Sequence, residues 1–444
     1  MDDSGRVKKT DRFKIVFRSL KYRNYRLYFS GQSISLIGTW MQRITLPWLV
    51  YHLTGSALLL GIVSFAGQIP TFLLSPFAGV LTDRWSRYRV LLVTQIVSML
   101  QAFALAFLCL TATIEIWEIV VLGIILGCVN AFDVPARQSM IIDLVEKKED
   151  LGNAIALNSL MFNGARLIGP SIAGIMLAST SEGICFLVNA ISYLFVIASI
   201  LMMRVNIKRY IKNQHEIFEE LKAGWNYTFG FPPIKHLILL LGLVSLTGMS
   251  YTVLMPVLVK EVLHGGSNTY GFLMGAAGFG ALLGALFLAS REKVLKLGRI
   301  VPIAAIIFGT GLIMLSFSKW YYISLILMVF IGLGMMLQTA ASNTVLQTIT
   351  DDDKRGRVMS FYTMAVMGTA PFGSLIAGAL AKTIGTSGTF LAGGLITITG
   401  ALVFFRKLPE LIKLVRPIYV KMGVIPEVAT GIQTASEQSA ETGL

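Results

Sequence analysis

Charge is scarce in this sequence. Asp, Glu, Lys and Arg make up 14% of its 444 residues, against about 25% in ordinary soluble domains. That excludes an ordinary soluble globular class. Acids are scarcer than bases, 24 against 38, and of the acids only Asp133 lies well inside an apolar run. No run of acids suits a metal-ion path, and no phosphate-binding P-loop is present, so ATP hydrolysis is not the expected source of work. Cysteine is nearly absent. Cys109, Cys128 and Cys185 lie in or at the ends of apolar runs, with no spacing for a metal site or a disulfide framework. They read as small buried hydrophobes. The four histidines, His52, His215, His236 and His264, are scattered. With no nucleophile–base pair and no metal cluster, neither an enzyme nor a cofactor is expected.

What fills the chain is apolar sequence. Hydrophobic residues make 55% of it, with a mean hydropathy of +0.70. Runs long enough to cross a bilayer need roughly 20 mainly apolar residues, and twelve are expected here. They fall near 25–52, 57–81, 90–112, 117–141, 153–178, 183–203, 234–260, 270–289, 300–318, 321–348, 358–382 and 389–405. Within a bilayer each segment must close its own backbone hydrogen bonds, so these are helices. The opening "MDDSGRVKKTDRFKIVFRSLKYRNYR" is basic and amphipathic and does not read as a signal peptide.

Basic residues set the orientation. With the N-terminus in the cytoplasm, clusters fall in every cytoplasmic segment: Arg6 to Arg26, Arg84/Arg87/Arg89, Lys147/Lys148, Arg204 to Lys235, Arg291 to Arg299, Lys354/Arg355/Arg357 and Arg406 to Lys421. Only Lys260, Lys319 and Lys382 fall near the opposite face. That is a strong positive-inside pattern, with both termini cytoplasmic. The net charge of +14 then suits the anionic leaflet rather than nucleic acid.

The organisation expected is a basic N-terminus (1–24), a six-helix bundle (25–203), a cytoplasmic linker (204–233), a second six-helix bundle (234–405) and a tail (406–444). In the linker, Phe218, Leu221 and Trp225 recur at helical spacing opposite Glu219, Glu220 and Lys222, as in a surface helix. The tail from Pro426 is small, polar and expected to be disordered. The bundles repeat each other. "GARLIGPSIAG" at 164 matches "GTAPFGSLIAG" at 368, 204 residues on, and "LPWLV" at 46 resembles "MPVLV" at 255. Internal repeats across a membrane protein point to a transporter, because two similar bundles can rock about a central site.

Between the second and third spans runs "FAGVLTDRWSRYRVLL". Its Gly79, Leu81, Asp83, Arg84 and Arg87 resemble the signature of the major facilitator superfamily, with departures at Ser86 and Tyr88. The resemblance covers the whole chain and implies an all-α membrane protein of twelve transmembrane helices in two six-helix pseudo-symmetric bundles. It also implies that Asp83 latches the cytoplasmic face shut, with Gly79, Arg84 and Arg87 as the rest of the gate. The alternative is a charge cluster that only fixes orientation. In the fifth span, Gly164, Gly169, Pro170 and Gly174 resemble the glycine–proline signature of antiporter branches, and also suit plain close helix packing. The arginine that proton antiporters carry early in span four is missing; the register places Gly123 near there.

Ionisable residues inside a membrane are costly and usually face a cavity or a partner. Asp133 and Arg137 are four apart and share a helix face, although Pro135 stands between them and is expected to interrupt the ladder. Asp133 reads either as a protonatable carrier or as an ion pair that holds helices or a gate. Arg166 and Arg43 read either as ligands for an anionic substrate group or as exchange partners for Asp133; Arg43 could instead snorkel. The remaining cavity candidates are Gln32, Trp40, Gln42, Gln68, Asn130, Asn158, Asn163, Gln338 and Asn343, although most single amides in spans tie helices together.

"FRSLKYRNYRLYFSGQSIS", "NAFDVPARQSMIIDLV" and "NGARLIGPSIAG" resemble bacterial permeases related to the enterobactin exporter and macrolide efflux proteins. That resemblance implies a monomer in the bacterial inner membrane that exports a small organic solute, a siderophore or drug-like amphiphile, in exchange for protons. An importer or lysophospholipid flippase of the same fold remains an alternative, as does a non-transporting sensor that binds partners through the linker or tail.

Overall fold

The computed structural model describes residues 17–204, 217–248, 251–291, 297–351 and 354–421. Among them the only regular structure is helical. The expected disorder from Pro426 falls outside these residues, as do the side chains of Phe218 and Leu221.

Six long helices come first: α1 (Arg23–Thr54), α2 (Ala57–Arg84), α3 (Arg87–Leu110), α4 (Ile116–Leu144), α5 (Lys148–Ser179) and α6 (Glu182–Leu201). The sequence punctuates them locally. Gly55 ends α1 in the left-handed region at φ 60°, its amide returning to the Tyr51 carbonyl at 2.8 Å, the usual glycine stop. Ser56 then caps α2 by accepting from the Leu59 amide. Glu115 and Glu118 close a reciprocal capping box at the start of α4. Pro135 does not break α4, which runs through it to Leu144. The Asp133–Arg137 pair therefore forms across an unbroken helix.

A shorter helix follows, α7 (Ile217–Gly230), then α8 (Pro232–Thr247) and α9 (Tyr251–Val257), which continues as a π turn over Leu258–Val262. The last group is α10 (Ser267–Ala289), α11 (Leu297–Phe317), α12 (Tyr321–Ile349), α13 (Arg355–Thr363) with a π turn at Met364–Gly368, and α14 (Ala370–Lys421). Gly385 breaks α14 internally, at φ 74° and ψ 168°, a conformation open essentially to glycine alone. Ten described segments are long and apolar enough to cross a membrane, the last running from Arg355 to Val420 across that break. Trp117, Trp320 and Tyr322 are exposed at one end of the helices, where amphipathic rings suit a membrane interface.

Helices α1–α6 pack on one another, as do α8–α14. The two groups meet chiefly along α5 against α10 and α2 against α14. We call the end carrying Arg23, Arg87 and Leu144 the basic face, and the end carrying Thr54, Ile116 and Ser179 the far face. A three-ten turn at Arg18–Lys21 is tied to the basic face. Lys21 reaches Asp150 at 2.6 Å, Arg18 pairs with the same carboxylate, Tyr22 donates to it at 2.6 Å, and the Ser19 amide donates to Asn153 at 2.9 Å. The bond to Asp150 holds the Lys21 ammonium above its ordinary pKa.

Candidate functional site

The site starts from a glycine. At Gly169, α5 comes so close to α1 that a Cβ would lie 2.6 Å from the Trp40 Cβ and 3.0 Å from the Ile37 carbonyl. One turn earlier on α5 is Arg166. Its guanidinium therefore lies over the Trp40 ring, 5.7 Å from the centroid. Arg43, one turn along α1, lies over the same ring at 4.9 Å. Phe162 meets that ring edge-on at 5.7 Å. From the second group, Arg166 reaches the Met335 sulfur on α12 at 3.6 Å and faces the Tyr251 hydroxyl on α9. Tyr251 and Met335 are buried, whereas Arg43 is exposed although it sits among these helices. Solvent therefore reaches into the space between the groups. Among the described residues neither Arg43 nor Arg166 has a carboxylate within ion-pair distance; the membrane-embedded ion pair is elsewhere.

That pair is Asp133 with Arg137. Asp133 is 2% exposed. One of its oxygens accepts from Thr94 Oγ1 at 3.0 Å and Gln95 Nε2 at 2.6 Å, and the other pairs with Arg137. Three donors fill this carboxylate. Arg43 lies within electrostatic reach of Arg137.

The polar candidates divide. Gln42 sits in a buried amide chain across three helices: Asn189 donates to it at 2.6 Å, and it donates to Gln101 at 3.0 Å. It ties α1, α3 and α6 together and does not line the open space. Gln68 and Asn163 donate within their own helices, to Ser64 and Ser159. Gln32 is buried. Asn343 accepts from Gln347 one turn on, and Asn130 and Asn158 are half-buried. Gln338 lines a small pocket of about 10 Å³ with Leu241, Val244, Ser245 and Met335, about the size of one water. Arg87 donates to Asp143 at 3.0 Å and to the Ser139 carbonyl at 3.4 Å, joining α3 to α4. Gly79, Asp83 and Arg84 lie on α2, and the surroundings of Gly79 and the side chains of Asp83 and Arg84 are not among the described features.

At the far face the two groups touch. A Cβ on Gly174 would lie 2.8 Å from the Gly271 Cα, and one on Gly378 would lie 3.0 Å from the Gly61 Cα. Gly174 and Gly378 are the equivalent final residues of the two repeats, so the repeat appears in space as two matched crossings. The Pro170 carbonyl joins the first. Gly164 is the exception in its motif: nothing lies within 4 Å of a Cβ there. Its stretch of α5 faces open space rather than a helix. Gly123 approaches the backbone of Gly67, so helix packing, not charge, occupies that position. Between the crossings, Trp48 of α1 stacks on Tyr270 of α10 at 5.6 Å and 17°, and Lys260 lies 5.3 Å from the Trp48 ring. Tyr51 donates to Glu261 at 2.6 Å.

Sequence reasoning missed Tyr251, Met335, Tyr270 and Glu261. One signal was present: aligning "LPWLV" with "MPVLV" places Tyr251 opposite Gln42, in the helix that repeats α1.

The family model described as transmembrane secretion effector matches residues 16–417. The staphyloferrin A transporter of Staphylococcus aureus (strain NCTC 8325 / PS 47) is 29% identical over 86% of this chain and 95% of its own length. Macrolide efflux protein A of Streptococcus pyogenes is 24% identical over 86% of this chain and 96% of its own length. Among solved structures, a POT family transporter in complex with 5-aminolevulinic acid superposes with a TM-score of 0.71, covering 88% of this chain and 96% of that one at 12% identity; it shows the fold alone. The chain is a multi-pass membrane transporter, and it belongs to the transmembrane secretion effector family of the major facilitator superfamily.

Proposed function

We propose that the protein exports a small organic solute, a siderophore or drug-like amphiphile, across the bacterial inner membrane by alternating access. Twelve spans in two six-helix bundles carry it: α1–α6, and then α8 with α9, α10, α11, α12, α13 with the start of α14, and the rest of α14 beyond Gly385. The basic face is cytoplasmic, as are both termini, and the protein works as a monomer. The observation that carries the reading is the Arg43–Trp40–Arg166 cluster, completed by Tyr251 and Met335 from the second group. A charged, aromatic-walled site between two bundles suits an amphiphilic solute. Named relatives that move a siderophore and a macrolide support the substrate range.

With the far face closed, the space at Arg43 opens towards the cytoplasm, the side from which an exporter loads. Asp83, with Gly79, Arg84 and Arg87, then forms the latch that closes the cytoplasmic face in the opposite state. Protons are the proposed exchanged ion. Asp133 as their carrier would have to give up three donors at each turnover, so its geometry favours a tie between α3 and α4. The test is proton flux in inside-out vesicles with siderophores and amphiphilic drugs added in turn, wild type beside Asp133→Asn. Substrate-triggered proton release from the lumen supports exchange, and its survival in Asp133→Asn supports the tie. Loss in a mutant that still binds substrate would make Asp133 the carrier. Substrate accumulation only in right-side-out vesicles would overturn export.

A further inference from the structure

We propose that Arg43 and Arg166 form a two-point anion site, and that the substrate is an amphiphile bearing two carboxylates. This deepens the export reading and rests on it for the direction of movement.

Asp133 and Arg137 cancel. That leaves two guanidinium groups at the space between the bundles, with no carboxylate within ion-pair distance among the described residues. For the half-buried Arg166 an unpaired charge at this depth is costly, while Arg43 stands exposed beside it. Cation–π contact with one indole offsets only part of that cost. The repeat does not demand the charge either, since Arg166 stands where the second repeat has Ala370. Two cations kept without counter-ions suit a ligand that brings the counter-ions with it.

Geometry narrows the ligand further. Both guanidinium carbons lie within 5.7 Å of one ring centroid, so they stand no more than about 11 Å apart, within reach of one small molecule. A guanidinium fork matches a carboxylate in two parallel hydrogen bonds. Between and around the forks are the rings of Trp40, Phe162 and Tyr251 and the Met335 thioether. They would hold an unsaturated carbon frame rather than a sugar-like one. The buried Tyr251 hydroxyl faces Arg166 and finds no acceptor for its own proton, which places it to donate to a bound carboxylate beside Arg166.

Each negative charge leaving the cell falls through the membrane potential, worth about fifty-fold in gradient per 100 mV. Export of a dianion in exchange for entering protons would therefore move net charge, with the dianion and the protons contributing in the same direction.

The test uses the purified full chain in lipid nanodiscs and three probes on one frame: naphthalene-2,6-dicarboxylate, naphthalene-2-carboxylate and naphthalene-2,6-dicarboxamide. Calorimetry is expected to show the dicarboxylate binding at least ten-fold tighter than the monocarboxylate, and the diamide weakest. Arg43→Gln and Arg166→Gln should each cost the dicarboxylate about ten-fold and erase its advantage, while Arg166→Lys should keep part of it. Thermal melts establish that the variants fold. In proteoliposomes the dicarboxylate should move one more elementary charge per molecule than the monocarboxylate does. Equal binding of the three probes, or binding untouched in both folded Gln variants, would overturn the site. If neutral drugs are exported by the wild type while the dicarboxylate is neither bound nor exported, export stands and the dianion site falls. If the dicarboxylate binds as described but never leaves from the cytoplasmic side, the site stands and export falls.

Discussion

The two faces of the molecule are held by different physics. At the far face the bundles contact each other directly, through two glycine crossings, the Trp48–Tyr270 stack and the Tyr51–Glu261 bond. At the basic face, the described ties stay within one group of helices. Arg87–Asp143 joins α3 to α4, Asp133 joins α4 to α3, and Asp150 holds the N-terminal turn against α5. In the second group, Tyr227 of α7 contacts Asp351 after α12, and Trp225 and Phe229 pack on Phe361. Under the proposed alternating access, short-range packing between the two groups of helices can be broken and remade. Ionic ties inside a bundle keep it rigid while it moves. The pattern predicts that mutations at the basic face act on stability and mutations at the far face act on conformation.

The largest effect tests the first half of that division. Asp133→Ala removes the acceptor of three hydrogen bonds and leaves Arg137 without its partner. Losing one member of a buried pair costs about 3–5 kcal/mol. The Arg137 side chain is 21% exposed, so the lower end, about 3 kcal/mol, is expected. A thermal melt in detergent should show a clear drop, and Asp133→Ala with Arg137→Met should recover much of it. A melt unchanged in the single variant would mean that the tie does not stiffen the bundle.

Why some of this was legible in sequence is itself physical. Helices α2 to α6 are visible because lipid demands unbroken apolar runs. Helix α1 is less so: Gln32, Gln42 and Arg43 dilute it, and it is absent from the ten apolar segments. Arg43, Arg166 and Asp133 stand out because charge within a span is rare. Tyr251 and Met335 do not, since an aromatic ring or a methionine in a span is ordinary. An amide carries no mark of its partner either, so Gln42 looked like a cavity residue until Asn189 and Gln101 came beside it. The repeat flagged Gly174 and Gly378, but their partners Gly271 and Gly61 belong to no motif, and only packing reveals them.

The next effect sharpens the far face. Gly174→Val would place its side chain against the Gly271 backbone, where even a Cβ comes within 2.8 Å. Overpacking a tight contact costs about 1–3 kcal/mol. Here the cost falls only on the sealed state, so its population should drop by about ten-fold or more. Gly271→Val should do the same from the other side. Gly164→Val, on the same helix and in the same motif, faces open space and should change little. Spin labels at Leu53→Cys and Asn268→Cys, with the native cysteines replaced, would report the distance between α1 and α10 at that face. A distribution that shifts equally for Gly164→Val and Gly174→Val would end the claim that the crossing itself sets the equilibrium.

The smallest effect asks whether the polar bond at the far face matters beyond the packing. Tyr51→Phe keeps the ring and removes the donor to Glu261. Glu261 is exposed, so water can replace the lost donor, and a net loss of about 1 kcal/mol is expected. That is about a five-fold shift away from the sealed state in the same distance measurement, with thermal stability nearly unchanged. The stack of Trp48 on Tyr270 should persist, because Lys260 and the glycine crossings do not depend on the hydroxyl. If Tyr51→Phe instead lowers the melting temperature as much as Asp133→Ala does, the far face is a structural joint like the basic one. The contrast between a rigid basic face and a switchable far one would then fail.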